Sequence, residues 1–163
     1  MATRISHSPV ETQALGEAWG REAQGGLVIG LCGDLGVGKT QLVKGLARGL
    51  GISARVQSPT FALVNVYAGG RLMLFHLDLY RLETAEQVFA AGLEEYLEPD
   101  GVTVIEWAER LGEGRRPKSE IRNPKSETKG SEEEGEASTR WRWVEIEAVS
   151  ETERRIIYED FGG

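Results

Sequence analysis

Little in this chain could cross-link it or anchor it in a bilayer. Cys32 is the single cysteine among 163 residues, so no intrachain disulfide can form and nothing points to an oxidising compartment. No apolar run approaches the roughly 18 residues of a membrane span, and the N-terminus lacks a signal-peptide core. Excess positive charge is missing too. Nineteen basic against 26 acidic residues leave a net charge of −7, which argues against a protein whose main work is coating bare nucleic acid through its phosphates. The expectation left standing is a soluble, cytoplasmic protein with no membrane association, its 163 residues forming one domain with a real core. Glycine is plentiful by contrast. Its 21 positions imply many tight turns or close backbone contacts.

Apolar residues are scarcest between Glu113 and Ala137, where only Ile121 and Ala137 qualify and no aromatic residue occurs. A short direct repeat, Pro117-Lys118-Ser119-Glu120 and Pro124-Lys125-Ser126-Glu127, is followed there by Glu132-Glu133-Glu134. Such a segment cannot bury enough surface to offset its ordering entropy, so residues 113–138 are expected to be a disordered, low-complexity insertion within the single domain.

Elsewhere α and β patterns alternate. Ser8-Pro9-Val10-Glu11 has capping-box spacing, and Val10, Ala14, Leu15, Ala18 and Trp19 continue it at helical spacing over 9–23. Leu27 to Cys32 is an apolar run of strand length, as expected for a strand buried on both faces. Leu42, Val43, Leu46, Ala47 and Leu50 mark a second helix that stops near Gly51. Residues 61–67 and 71–77 flank Gly69-Gly70 as a hairpin, 84–97 reads as helix, and Val102 to Ile105 as another buried strand. Trp141 to Ala148 and Arg155 to Tyr158 read as closing strands. The pattern predicts an α/β sandwich with an antiparallel hairpin inside it.

One motif decides the chemistry. Gly33-Asp34-Leu35-Gly36-Val37-Gly38-Lys39-Thr40 fits G-x-x-x-x-G-K-[ST], with a strand before it and a helix after it, the context of a phosphate-binding loop (P-loop). Glycines at these positions let the backbone N–H groups curl inward as an anion nest, and the helix N-terminus adds partial positive charge. Lys39 can reach the β- and γ-phosphates, and the Thr40 hydroxyl suits Mg²⁺. The N-K-x-D pattern that reads guanine is absent, so ATP is the expected nucleotide.

A metal also needs an acidic partner, and two strand ends supply one. Leu72 to Phe75 runs into His76-Leu77-Asp78, and Val102 to Ile105 ends at Glu106. His76 and Asp78 share a side of their strand, and His76 reads equally as a hydrogen-bonded structural residue or a catalytic one. Ser58-Pro59-Thr60-Phe61, about 20 residues past the loop, offers Thr60 either as a switch threonine at the metal and γ-phosphate or as part of a plain turn. Cys32 reads as a small core residue.

GDLGVGKT, SPTFALVNVY, HLDLYRL and VIEWAERL, in this order and spacing, resemble the TsaE (YjeE) family over roughly residues 5–112 and more loosely over 140–160. The resemblance implies a P-loop ATPase needed to form N6-threonylcarbamoyladenosine at position 37 of tRNAs reading codons that begin with A. It implies ATP and Mg²⁺ as cofactors, the TsaD–TsaB complex as partner, and tRNA met indirectly through that complex. By the resemblance, residues 33–40 form the phosphate cradle, Thr40 and Glu106 are the Mg²⁺ ligands, and Asp78 is the acidic residue required for hydrolysis and placed at the metal. Thr60 is then the switch threonine, Trp107 lies near the nucleotide, and the base is held near Ser8 to Thr12. The implied fold is a P-loop NTPase-like sandwich, its mixed, mainly parallel sheet carrying a hairpin and covered by helices on both faces. Arg140 or Arg142 is the expected source of a C-terminal nucleotide contact. The alternative is a P-loop small-molecule kinase, with Arg115-Arg116 as its lid, although SPTF and HLDLYR have no obvious use there.

Overall fold

The computed structural model describes residues 1–34, 36–59, 63–112 and 139–162. The expected insertion at 113–138, with the proposed lid arginines, lies outside the described residues, as do Leu35 and Thr60. In chain order the elements are β1 (Ala2–Ser6), α1 (Pro9–Glu22), β2 (Leu27–Cys32), α2 (Lys39–Gly49), β3 (Val64–Tyr67), β4 (Leu74–Asp78), α3 (Ala85–Ala90), β5 (Val102–Glu106), β6 (Arg140–Ala148) and β7 (Arg154–Phe161). Two 3₁₀ turns, Leu93–Leu97 and Ala108–Leu111, also occur among the described residues.

The strands form one seven-stranded sheet in the order β1-β7-β6-β2-β5-β4-β3. Its centre, β6-β2-β5-β4, is parallel. Both margins are antiparallel: β7 and β1 on one side, β3 on the other. The expected mixed, mainly parallel sheet is what the chain builds. Parallel strands need cover on both faces, which is why β2 and β5 are apolar without alternation.

On one face α1 and α2 lie over a core that includes Trp19, Ile29, Leu42, Leu46, Val104 and Ile146. On the other face, α3 and the two 3₁₀ turns cover Val28, Leu77, Val88, Leu93, Ile105 and Leu111. The two long helices touch backbone to backbone. A Cβ at Gly45 would strike the carbonyl of Gln13, and one at Gly49 the carbonyl of Glu17; Gly16 and Gly20 meet Leu42 and Leu46 in the same way. Each helical glycine costs roughly 0.5–1 kcal/mol relative to alanine, and close approach is what these four provide in return.

Three expectations shift. The hairpin forms, but its strands end at Tyr67 and resume at Leu74, so the connection is longer than a turn at Gly69-Gly70. The Arg71 N–H is bonded to the Leu50 carbonyl at 2.7 Å and its guanidinium to the carbonyls of Gly20 and Arg21, which draws the segment toward the helix ends instead of the partner strand. The helix expected over 84–97 stops at Ala90, because Gly92 takes φ +78° and a 3₁₀ turn follows. Finally, β1 is an additional edge strand, paired with β7 through its backbone and burying only Ser6.

Candidate functional site

A cavity of about 640 Å³ opens at the C-terminal ends of β2, β4 and β5, the place where open parallel sheets bind ligands. Its floor is the loop between β2 and α2. Gly33, Gly36 and Gly38 take φ of +146°, +81° and +109°, left-handed conformations that a side chain would strain. That is the backbone curl expected of a phosphate cradle. Gly36, Val37, Gly38, Lys39 and Thr40 line the cavity, while Gly33 and Asp34 line an adjoining one behind the loop.

Lys39 is buried, and its Nζ donates to the carbonyl of Gly33 and lies 3.4 Å from that of Asp34. The ammonium also sits 3.6 Å above the centre of the Trp107 ring. Burial draws its pKa below the ordinary lysine value, opposed by the charges of Glu109, Glu106 and Asp78. A ligand with anionic oxygens would therefore meet a cation held by weak acceptors, one able to exchange them for stronger ones.

Thr40 opens α2 and meets Glu106 at the end of β5, its Oγ1 being 3.0 and 3.1 Å from the two carboxylate oxygens. The Thr40 hydroxyl has one proton and donates it to Glu106, so the Ser58 hydroxyl, 2.9 Å away, donates to Thr40. Asp78 stands opposite Glu106 in the β4–β5 register, which puts the two carboxylates side by side at the cavity wall. Burial raises the pKa of Asp78 above its ordinary value, and the nearby Glu106 charge adds to the rise. The Tyr80 N–H, 3.0 Å from Asp78 Oδ1, works against it. His76 does not line the cavity. It is fully buried and its Nε2 lies 2.6 Å from Glu106 Oε2, so of its two readings the structure keeps the hydrogen-bonded one.

Trp107 lines the cavity and packs at a tilt against Tyr80, with ring centres 5.1 Å apart. Its φ is +60°, and the only other left-handed non-glycine residue described, Leu63 at +63°, lines the same cavity. Such conformations cost roughly 1–3 kcal/mol and persist where surrounding structure holds them. Their concentration at one cavity sets this end of the sheet apart.

Two placements differ from the sequence reading. Thr12 is not brought to the cavity: its hydroxyl lies 2.7 Å from Ser6 Oγ and 3.3 Å from the Ser8 carbonyl, closing the β1–α1 junction. His7, Ser8 and Pro9 line the cavity in its stead. Arg140 and Arg142 lie toward the far end of the sheet, Arg140 being level with Leu27 at the start of β2. Arg142 is spent on Asp160 at 2.6 and 2.8 Å and stacks on Trp19 and Tyr158. A basic residue that the sequence reading did not name, Arg154, lines the cavity with Lys39 and Arg81, and its Nε donates to the Val37 carbonyl at 3.0 Å. It has no local sequence signal, since 117 residues separate the two.

Among the described residues no group of three or more His, Cys, Asp or Glu could hold a metal by itself. The donor set instead fits a hard cation that shares its shell with a ligand's oxygens. Mg²⁺ is commonly held so, through one or two carboxylates plus substrate phosphates. No helix among the described residues is long and apolar enough to cross a membrane.

Comparison with known proteins places this arrangement. The tRNA threonylcarbamoyladenosine biosynthesis protein TsaE of Treponema pallidum is 48% identical over 107 residues, 66% of this chain and 78% of that protein. The Nostoc protein of the same description is 50% identical over 104 residues, 61% of this chain and 64% of its own length. That of Bacillus subtilis is 43% identical over 106 residues, covering 65% and 66%. The crystal structure of Bacillus subtilis YdiB superposes with a TM-score of 0.68 at 29% identity, over 99% of this chain and 84% of that one. A family model described as threonylcarbamoyl adenosine biosynthesis protein TsaE matches residues 6–136, a span holding the phosphate loop and both strand-end carboxylates. On that match the chain belongs to the TsaE family of threonylcarbamoyl adenosine biosynthesis proteins.

Proposed function

We propose that this chain is a Mg²⁺-dependent ATPase serving the formation of N6-threonylcarbamoyladenosine at position 37 of tRNAs that read codons beginning with A. It acts on a TsaD–TsaB complex, which holds the tRNA. The observation that carries the ATPase reading is the meeting of Lys39, Thr40, Asp78 and Glu106 over a glycine-curled loop. Two carboxylates in a partly buried cavity would repel a triphosphate, and only a divalent cation between them and the phosphates makes the pair useful.

Thr40 and Glu106 would hold that ion, with Asp78 beside them. Bound there, Mg²⁺ neutralises charge on the phosphate oxygens. The remaining work falls to the chain. Loop N–H groups and the start of α2 cradle the phosphates, and Lys39 leaves the Gly33 and Asp34 carbonyls for phosphate oxygens. Asp78 keeps Oδ1 on the Tyr80 N–H and turns Oδ2 to the attacking water, orienting it. Trp107 and Tyr80 wall the site from solvent on that side.

The test is ATP hydrolysis by the purified chain, alone and then with a TsaD–TsaB pair from the same source. Slow turnover that rises when the pair is added is the expected result. Phosphate release unchanged by the pair would overturn the partner assignment, and absence of Mg²⁺-dependent ATP binding would overturn the ATPase.

A further inference from the structure

His76 lies on β4, two residues before the cavity-lining Asp78, and has one side-chain hydrogen bond among the described residues. It is level with Val104 of β5 and Asn65 of β3, has no exposed surface, and places Nε2 2.6 Å from Glu106 Oε2. Its other nitrogen, Nδ1, has no hydrogen-bond partner among the described residues. Asn65, the polar side chain nearest in register, directs its amide to the Gln57 carbonyl and the Tyr67 hydroxyl instead. A buried imidazole with one ring nitrogen unmatched is a liability to the fold, and an apolar side chain of similar size would pack there without it. Histidine at this position therefore serves the carboxylate it touches.

We propose that His76 is a positioning residue for Glu106. Because a carboxylate offers only acceptors, Nε2 carries the proton of this bond, while Nδ1 is left without a partner among the described residues. Glu106 is thereby gripped between two donors, His76 Nε2–H from β4 and the Thr40 hydroxyl from α2. The side chain cannot swing toward Lys39 or out to water, and its oxygens stay beside Thr40 Oγ1, where a cation shared with phosphates would need them. This is the role that partners of metal ligands commonly fill, fixing a ligand's orientation from behind. The inference rests on the proposed nucleotide and Mg²⁺ site and extends it by one residue that contacts neither.

The experiment separates the two. Mn²⁺ is titrated into the chain already holding AMP-PNP, and AMP-PNP binding is measured separately in EDTA. The native chain must show metal affinity that depends on the nucleotide; its absence would remove the site itself, and this inference with it. Given that affinity, H76L is expected to weaken Mn²⁺ binding about 10–100-fold. Its metal-free AMP-PNP affinity should stay within about threefold of native, while its melting temperature falls because the buried Glu106 carboxylate loses a donor. H76Q, whose amide N–H can reach where Nε2 lies, should recover most of the metal affinity. Should H76L fail to fold, H76N takes its place, with an amide too short to reach Glu106. Native Mn²⁺ affinity in H76L or H76N would overturn the proposal. So would a loss of metal-free nucleotide affinity in parallel with the loss of metal affinity, which is the mark of a packing residue.

Discussion

The two faces of the sheet are built to different standards. Behind it, α1 and α2 meet backbone to backbone at four glycines, with Gln13 bonded to Gln41 across the contact, an arrangement with little room to move. In front, the cover among the described residues is one helix of six residues, Ala85–Ala90, and two 3₁₀ turns. The rigid face carries the parts that must not shift, the start of α2 with Lys39 and Thr40. By the alternation along β4 and β5, Asp78 and Glu106 also point to that face, in line with Leu74, Val102 and Val104, and Glu106 bonds to Thr40 across it. Trp107, the residue after β5, packs toward the thin face. A site for phosphates and their metal costs least when preformed, whereas residues that meet a partner gain from a layer with little holding it down.

That contrast can be broken from either side. The largest effect should come from the strand-end carboxylates. Asp78→Ala or Glu106→Ala should lower ATP turnover about 100–1,000-fold while changing ATP affinity far less, because preorganised charge matters most in the transition state. Steady-state phosphate release beside equilibrium ATP binding reads both. In the phosphate loop, Lys39→Ala should weaken ATP binding about 100-fold through loss of charge-assisted bonds, as titration calorimetry would report. The helix contact is tested by one substitution made on each face. Gly45→Ala should cost about 3 kcal/mol in urea unfolding, because its Cβ meets the Gln13 carbonyl. Gly92→Ala, at φ +78° with open space around it, should cost about 1 kcal/mol.

The smallest effect is electrostatic. Burial raises the Asp78 pKa, so the folded state binds its proton more tightly than the unfolded chain does, and stability falls as pH rises through that raised value. Asp78→Asn should match the native chain near and below pH 3.8, the ordinary value, and become the more stable of the two as pH rises beyond it. Thermal unfolding across that range, without nucleotide, measures the difference. A growing advantage for the native chain would contradict the sign.

What could be read from the residues alone follows how local each signal is. β2, the glycine loop and β5 were legible because an apolar run and a motif state them within a few residues. Asp78 and Glu106 stood out as acids ending buried runs, and the β4–β5 register makes them neighbours. β1 escaped because an edge strand paired through its backbone, with only Ser6 buried, has no apolar pattern to show. The long β3–β4 connection follows from Arg71 reaching the α1 and α2 ends, contacts that no turn signal encodes. Arg154 reaches the phosphate loop only because β7 pairs beside β6, and Arg142 is spent on Asp160 and two aromatic rings for the same reason.

The claim on which the rest depends is that Thr40 and Glu106 hold a divalent cation together with nucleotide phosphates. The direct test is ATP affinity measured with Mg²⁺ and with EDTA, in the native chain and in Glu106→Gln. The native chain should bind at least about tenfold more tightly with Mg²⁺, and Glu106→Gln should lose most of that gain while keeping the metal-free affinity. Native binding indifferent to Mg²⁺, or a Glu106→Gln chain that gains as much from it as the native one, would contradict the claim.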